Sequence, residues 1–195
     1  MELSVMRCEP EVWEMFAKHH YMSETLNKSC KCLVFFLNGE ICAFVGILNT
    51  PRRGTPLAHA ISRIVVLPDY QGLGLSGKIL DFVGGLLKSK GDEYLLYIKT
   101  VHDKMGKWLE RSENWHPTSY NGKKRSNTSY EEGKYNNRLD RSSFCFKYIA
   151  EPLQGNVDEY LDLLLPIGEL RDRKSKEGIF TVKDKEIKQL ELWNF

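Results

Sequence analysis

No stretch of this sequence is apolar for long enough to cross a membrane. The most apolar helical run, Ile79 to Leu87, is about half a span in length and contains Asp81. The opening residues, MELSVMRCEPEVW, carry acids where a secretory leader needs a basic start and an apolar run, so a cytoplasmic protein is expected. Cysteine is scarce and irregularly spaced. Cys8, Cys30, Cys32, Cys42 and Cys145 are odd in number, and Cys30-x-Cys32 has no second pair to complete a zinc site; reduced, buried thiols and no metal are expected. An excess of one charge is also missing. With 28 Lys and Arg against 26 Asp and Glu the formal charge is +2, which excludes a strongly basic nucleic-acid binder and confines such contacts to local patches. No internal repeat is present. What remains is ordinary globular usage: 195 residues, 42 % of them apolar, are enough to bury a full core without a disulfide or metal staple.

Periodicity and turn chemistry divide the chain into elements. Glu9 to Ala17 places Val12, Trp13 and Phe16 on one helical face, and a short second helix is expected from Ser23 towards Lys28, with His19-His20-Tyr21 in the bend between. Cys32 to Leu37 and Ile41 to Leu48 are β-rich runs separated by Asn38-Gly39, a strong hairpin signal. Pro51 to Pro56 reads as a loop, and His59 to Leu67 as a strand ended by Pro68. Strict alternation along it puts Ala60, Ser62 and Ile64 on one face and His59, Ile61 and Arg63 on the other. A helix is expected over Ser76 to Lys90, closed by Gly91, then a strand over Glu93 to Thr100, a helix over Asp103 to Arg111 and a strand over Ser143 to Ile149. This order reads as a mixed α/β sheet domain over residues 1–150. Residues 151–195 read as an appendage, with a short helix from Asn156 to Leu165 stopped by Pro166, and an apolar tail.

The turn between the third strand and the long helix carries the most chemistry. In Arg63-Ile-Val-Val-Leu-Pro-Asp-Tyr-Gln-Gly-Leu-Gly-Leu-Ser-Gly-Lys78 a β-branched strand runs through glycines 72, 74 and 77 into a helix start. Glycines let successive amides point into one concavity, and the helix N-terminus adds partial positive charge, which together suit a pyrophosphate. The Walker spacing is present from Gly72 to Lys78, but Ile79 replaces the metal-binding hydroxyl; a Rossmann reading would put the acid, Glu93, at the wrong end of its strand.

Gln71-Gly-Leu-Gly-Leu-Ser76 resembles the acetyl-CoA-binding motif Q/R-x-x-G-x-G/A of the GNAT acyltransferases, with Ser76 in place of the last Gly or Ala. The preceding Ile64 to Tyr70 resembles that family's splayed strand. The resemblance implies a GNAT fold: an α/β (α+β) mixed, mostly antiparallel sheet, split at the CoA-binding strand, with helices on both faces. It also implies an acyl-CoA-dependent N-acyltransferase, with acetyl-CoA the donor and an amine the acceptor, the amine attacking the thioester directly in a ternary complex. On that reading the amides of Gln71, Gly72, Leu73, Gly74, Leu75, Ser76, Gly77 and Lys78 bind the CoA pyrophosphate. Ile64, Val65 and Val66 pair their backbone with the pantetheine arm, and Thr100 faces it from the next strand. In the family's later helix a tyrosine often protonates the departing thiolate. Leu109 takes that position, which leaves a non-catalytic CoA-binding module as an alternative.

For acid–base work the candidates are His20 and Tyr21, in the segment that lines the acceptor site in this family, and Ser62, on a strand where some members keep a base. His102 reads as a cap. The block from Trp13 to Ser23, with Ser62-Arg63-Ile-Val and Ser143 to Tyr148, also looks like a GNAT subgroup of phages and mobile elements, similar to Mom-type DNA-modifying enzymes. Two further features bear on DNA. Residues Tyr120 to Arg141 hold Lys123, Lys124, Arg125, Lys134, Arg138 and Arg141 against Glu131, Glu132 and Asp140, interleaved with Tyr120, Tyr130 and Tyr135. The tail Gln189-Leu190-Glu-Leu192-Trp193-Asn-Phe195 resembles the bacterial sliding-clamp-binding motif Q-L-x-L-F, which makes DNA and the clamp candidate partners.

Overall fold

The computed structural model describes residues 2–20, 24–123, 142–173 and 179–181. Its strands are β1 (Leu3–Cys8), β2 (Lys31–Leu37), β3 (Glu40–Asn49), β4 (Ala58–Val66), β5 (Leu95–Thr100), β6 (Trp115–Pro117), β7 (Phe144–Tyr148) and β8 (Ile179–Phe180). They form one sheet in the order β6-β7-β5-β4-β3-β2-β1-β8, in which β4–β5 and β1–β8 are parallel and every other pair antiparallel. The helices are α1 (Glu14–Ala17), continuing a 3-10 turn over Pro10–Trp13, then α2 (Leu75–Lys88), α3 (Asp103–Arg111), α4 (Asp158–Leu161) and α5 (Ile167–Arg173).

The Asn38-Gly39 turn has positive φ at both residues, 51° and 85°, as a type I′ hairpin requires. Two cores lie on opposite faces of the sheet. One packs α2 and α3 against Phe35, Val45, Ile61 and Ile98; the other packs Val12, Trp13 and Phe16 against Val34, Phe36 and Phe44. Leu163 and Leu164, from the C-terminal segment, belong to the first core, and β8 adds to the sheet beside β1.

Several sequence expectations change. The helix expected from Ser23 to Lys28 is not formed over Glu24 to Lys28. Asn27 instead turns the chain, its side chain accepting from the Ser29 amide at 2.9 Å and its carbonyl from the Cys30 amide at 3.0 Å. The first helix is short and starts as a 3-10 turn at Pro10, which presets the φ of a first turn. The alternation expected along β4 is broken. Gly46 opposes Arg63 while Ile47 opposes Ile61, so Ser62 is an extra, unpaired residue. That bulge reverses the phase: Ile61 and Ile64, assigned to opposite faces by alternation, both pack on the α2–α3 core.

All five cysteines are free and buried. Burial pushes the thiols of Cys8, Cys30, Cys32 and Cys42 up, Cys32 to about 12 and Cys42 to about 11, so these four are neutral and poorly nucleophilic near pH 8. A disulfide-exchange reagent at pH 8 is expected to leave the native chain nearly unlabelled over minutes and to titrate all five thiols in denaturant. Rapid stoichiometric labelling of the folded chain would contradict this burial.

Candidate active site

β4 is paired with β5 only from Ala58–Leu95 to Ile61–Ile98. Beyond the Ser62 bulge the strands part: β4 continues along β3 to Val66, and β5 continues along β7 to Thr100. The free flank of Ile64 to Val66 therefore faces an opening, at whose end the chain turns into α2. A 3-10 turn over Pro68–Tyr70 leads to Gly72 and Gly74, with φ of 87° and 72°. These left-handed conformations suit glycine. A Cβ at either position would project into open space, so no packing inside the molecule requires the missing side chains there.

The turn leaves a row of unused donors. Among the described residues no acceptor is bonded to the amides of Gly72 through Gly77; the first helical bond is Lys78 N–H to the Gly74 carbonyl at 3.4 Å. Lys78 is thus engaged through its amide, and its side chain is exposed. Leu75 is buried and anchors the helix start, while Leu73 is 49 % exposed at the rim. Gln71 Nε2 donates to the Val66 carbonyl at 3.0 Å and ties the turn to the end of β4. The free amides and the positive end of a 14-residue helix make an anion cradle beside the strand opening.

Gly77 has a different reason to be glycine. A Cβ there would lie 2.6 Å from Trp108 Cε2 and Cζ2, so the indole of α3 packs directly on the backbone of α2. Sequence reading grouped Gly77 with the other glycines and missed Trp108; the amphipathic spacing of α3 alone does not say which helix its indole meets. Gly77→Ala is expected to lower stability by roughly 1–3 kcal/mol, as overpacking does. Urea unfolding would measure it, and Trp108→Leu in the same chain is expected to restore part of the loss. Thr100 is 7 % exposed and its hydroxyl accepts from the His102 amide at 3.0 Å, while His102 Nδ1 caps α3 by accepting from the Met105 amide at 3.3 Å. Leu109 is fully buried in the core, so its position offers no proton donor.

On the other face of the bulge, Trp13 organises a polar cluster. His20 is half-buried and meets the Trp13 ring edge-on with centroids 5.5 Å apart. The Arg63 guanidinium lies 6.0 Å from the same ring. The Trp13 indole N–H donates to the Glu24 carbonyl, and Arg63 donates at 2.7 Å to both the Ser62 and the Thr25 carbonyls. Burial pushes the Cys30 thiol up, and the Ser62 hydroxyl and the Arg63 guanidinium act against that rise. Of the acid–base candidates, the fold thus gathers His20 and Ser62 around Trp13 and Arg63, whereas Tyr21 lies outside the described residues. Arg63 was missed as a site residue because alternation assigned it to the opposite face from Ser62; the bulge brings both to this one.

The sheet beyond β5 presents a basic, aromatic hollow. A cavity of about 290 Å³ is lined by Arg52, Tyr97, His116, Tyr120 and Lys147, with no acid among its described residues. The Arg52 guanidinium lies 5.0 Å from the Tyr97 ring, and the Lys123 ammonium 5.4 Å from Tyr120. Of the nucleic-acid candidates Lys123 is thereby placed at its rim; Lys124, Arg125, Tyr130 and Tyr135 lie outside the described residues, as do Gln189, Leu190, Leu192, Trp193 and Phe195 of the tail.

A sheet that opens at one parallel pair, with a free-amide cradle at the head of the following helix, defines an N-acyltransferase architecture. The chain belongs to the acetyltransferase (GNAT) family, whose model matches residues 2–107. Solved structures agree in fold. The ribosomal-protein-S18-alanine N-acetyltransferase of Escherichia coli is 12 % identical, with a TM-score of 0.56 over 80 % of this chain and 98 % of that one. Arabidopsis thaliana Naa50, in complex with the bisubstrate analogue CoA-Ac-MVNAL, is 12 % identical, with a TM-score of 0.57 over 77 % of this chain and 100 % of that one. The IAA acetyltransferase of Bacillus cereus is 17 % identical, with a TM-score of 0.53 over 75 % and 99 %. No curated protein matches by sequence. No helix among the described residues is long and apolar enough to cross a membrane, and no group of three metal-ligating side chains occurs among them.

Proposed function

We propose that this protein transfers the acetyl group of acetyl-CoA to an amine by direct attack in a ternary complex. The observation that carries the reading is the run of unbonded amides from Gly72 to Gly77 at the head of α2, beside the opening between β4 and β5. Those amides would hold the pyrophosphate, and the free flank of Ile64 to Val66 would take the pantetheine arm. The bound cofactor supplies an activated acyl thioester. On the chain's side, His20 would take the proton of the attacking amine as the nitrogen–carbon bond forms and the carbon–sulfur bond breaks, and the Trp13 ring orients its imidazole. Ser62, the extra residue of the bulge, is the second acid–base candidate. The test is CoA release from acetyl-CoA across a panel of peptide N-termini, polyamines and amino-sugars. Release that depends on one amine class supports the reading; acetyl-CoA binding with no release for any amine would make the chain a CoA-binding module.

A second reading is a DNA-base modifier of the Mom type, recruited through the clamp-like tail. The hollow of Arg52, Tyr97, His116, Tyr120 and Lys147 supports it, because cations for phosphates and ring faces for bases converge there without an acid among the described lining residues. A peptide spanning Lys188 to Phe195 is expected to capture a bacterial sliding clamp, and its Leu190→Ala, Leu192→Ala form to lose capture, since apolar anchors dominate small interfaces. Absence of capture, together with unmodified nucleosides in cells expressing the chain, would leave the first reading alone.

A further inference from the structure

A second concave site lies at the opposite end of β4, and acyl transfer makes no use of it. A cavity of about 220 Å³ sits where the end of α2, the start of β5 and the segment around Leu164 and Pro166 meet. The cradle is at the other end of α2, about 20 Å away for a 14-residue helix. Most of its lining lies within the family match, which ends at residue 107, but Leu164 and Pro166 close part of its wall from the C-terminal segment beyond that match.

Its polar lining is cationic. Lys31 Nζ reaches Asn49 Oδ1 at 2.7 Å, and the Lys90 ammonium stands 5.1 Å from the Tyr94 ring centroid. His59 stacks on the same ring, with centroids 6.0 Å apart and planes at 24°. His59 is only 6 % exposed, and its Nδ1 lies 2.9 Å from the Leu57 carbonyl. A carbonyl can only accept, so Nδ1 carries the proton and Nε2 keeps a lone pair. Among the described lining residues there is no Asp or Glu. Behind Lys31, Arg7 is 3 % exposed and its Nε has no hydrogen-bond partner. These charges act on one another: the Lys31 ammonium is held below its ordinary range by burial and then by Arg7 and Lys90. His59 is likewise lowered by burial and then by Lys31. Like charges gathered around a hollow without a carboxylate favour an incoming anion. The rest of the wall, Leu57, Ala58, Leu87 and Leu164, is apolar.

We propose that this cavity is a second ligand site, for one anionic phosphate or carboxylate group carried on an apolar stem. Lys31 and Lys90 contact the anion, His59 Nε2 accepts from its hydroxyl or gains a proton to donate to it, and Tyr94 with Leu87 and Leu164 covers the stem. The test uses the full chain saturated with acetyl-CoA, so that the cradle offers no competing anion site. Inorganic phosphate, phenyl phosphate and benzoate are titrated at constant ionic strength, read by calorimetry and by the imidazole resonances of His59. One of the two aromatic anions is expected to shift His59 and to bind about tenfold or more tightly than inorganic phosphate, since the ring leaves water. Which of them does so separates a phosphate from a carboxylate ligand. Lys31→Met with Lys90→Met is expected to weaken binding about tenfold or more while the acetyl-CoA thermal shift persists. Should that variant fail to fold, Leu164→Trp, which fills the cavity, is expected to abolish the same binding. An unmoved His59 resonance with all three anions, equal affinity for all three, or wild-type binding in the folded variants would overturn the proposal.

Discussion

Acetyl-CoA at a hundredfold excess over its dissociation constant is expected to stabilise the native chain by about 2.7 kcal/mol. In a chain of this size that raises the melting temperature by roughly 5–10 °C. Gly74→Val is expected to abolish the rise. Two effects act at this residue and they are separable. A β-branched residue is strained at φ 72°, so Gly74→Val also lowers the melting temperature of the unliganded chain. Its Cβ enters the open space in front of the free amides, where a pyrophosphate would approach. Gly74→Asn isolates the second effect, because asparagine tolerates the left-handed conformation. That variant is expected to melt near the wild type without ligand and still to lose the acetyl-CoA shift. If both variants keep the full shift, the cradle is not where the cofactor binds.

His20→Ala is expected to lower acetyl transfer by about 10²–10⁴-fold while leaving the acetyl-CoA thermal shift intact, the range that a positioned acid–base group contributes. Because His20 packs edge-on against Trp13, the alanine change also removes a ring contact. His20→Gln keeps a planar group of similar size against the indole and serves as the control. Loss of turnover in both variants with unchanged melting points assigns proton transfer to the imidazole. Loss in alanine alone assigns His20 to packing around Trp13, and wild-type turnover in both removes it from the reaction.

Much of the frame was legible because the signals are local. The hairpin follows from Asn38-Gly39, whose two positive φ angles few other residue pairs adopt easily. The extent of α3, Asp103–Arg111, was readable from its periodicity and flanks. The cradle was readable as glycines between a β-branched strand and a helix, and the family match over residues 2–107 agrees with the resemblance drawn from those residues.

The sequence by itself determined the order of most elements, the turn that opens α2 and the donor-rich character of that turn, since these depend on backbone angles set within a few residues. The tertiary structure alone decided the rest. β1 was not legible because it is a partly exposed strand that becomes an interior neighbour of β2 and β8 only through pairing across the chain. Ser62 became a bulge because β3 and β4 pair out of phase by one residue, and that one step brings Arg63 beside Ser62 and Ile64 to the same core as Ile61. Gly77 owes its identity to Trp108, 31 positions away. Lys31, His59 and Lys90 are far apart in sequence and meet only where three elements end together. Register and convergence are long-range quantities: each is settled by which partner a segment meets, and no local period of 2 or 3.6 encodes the partner.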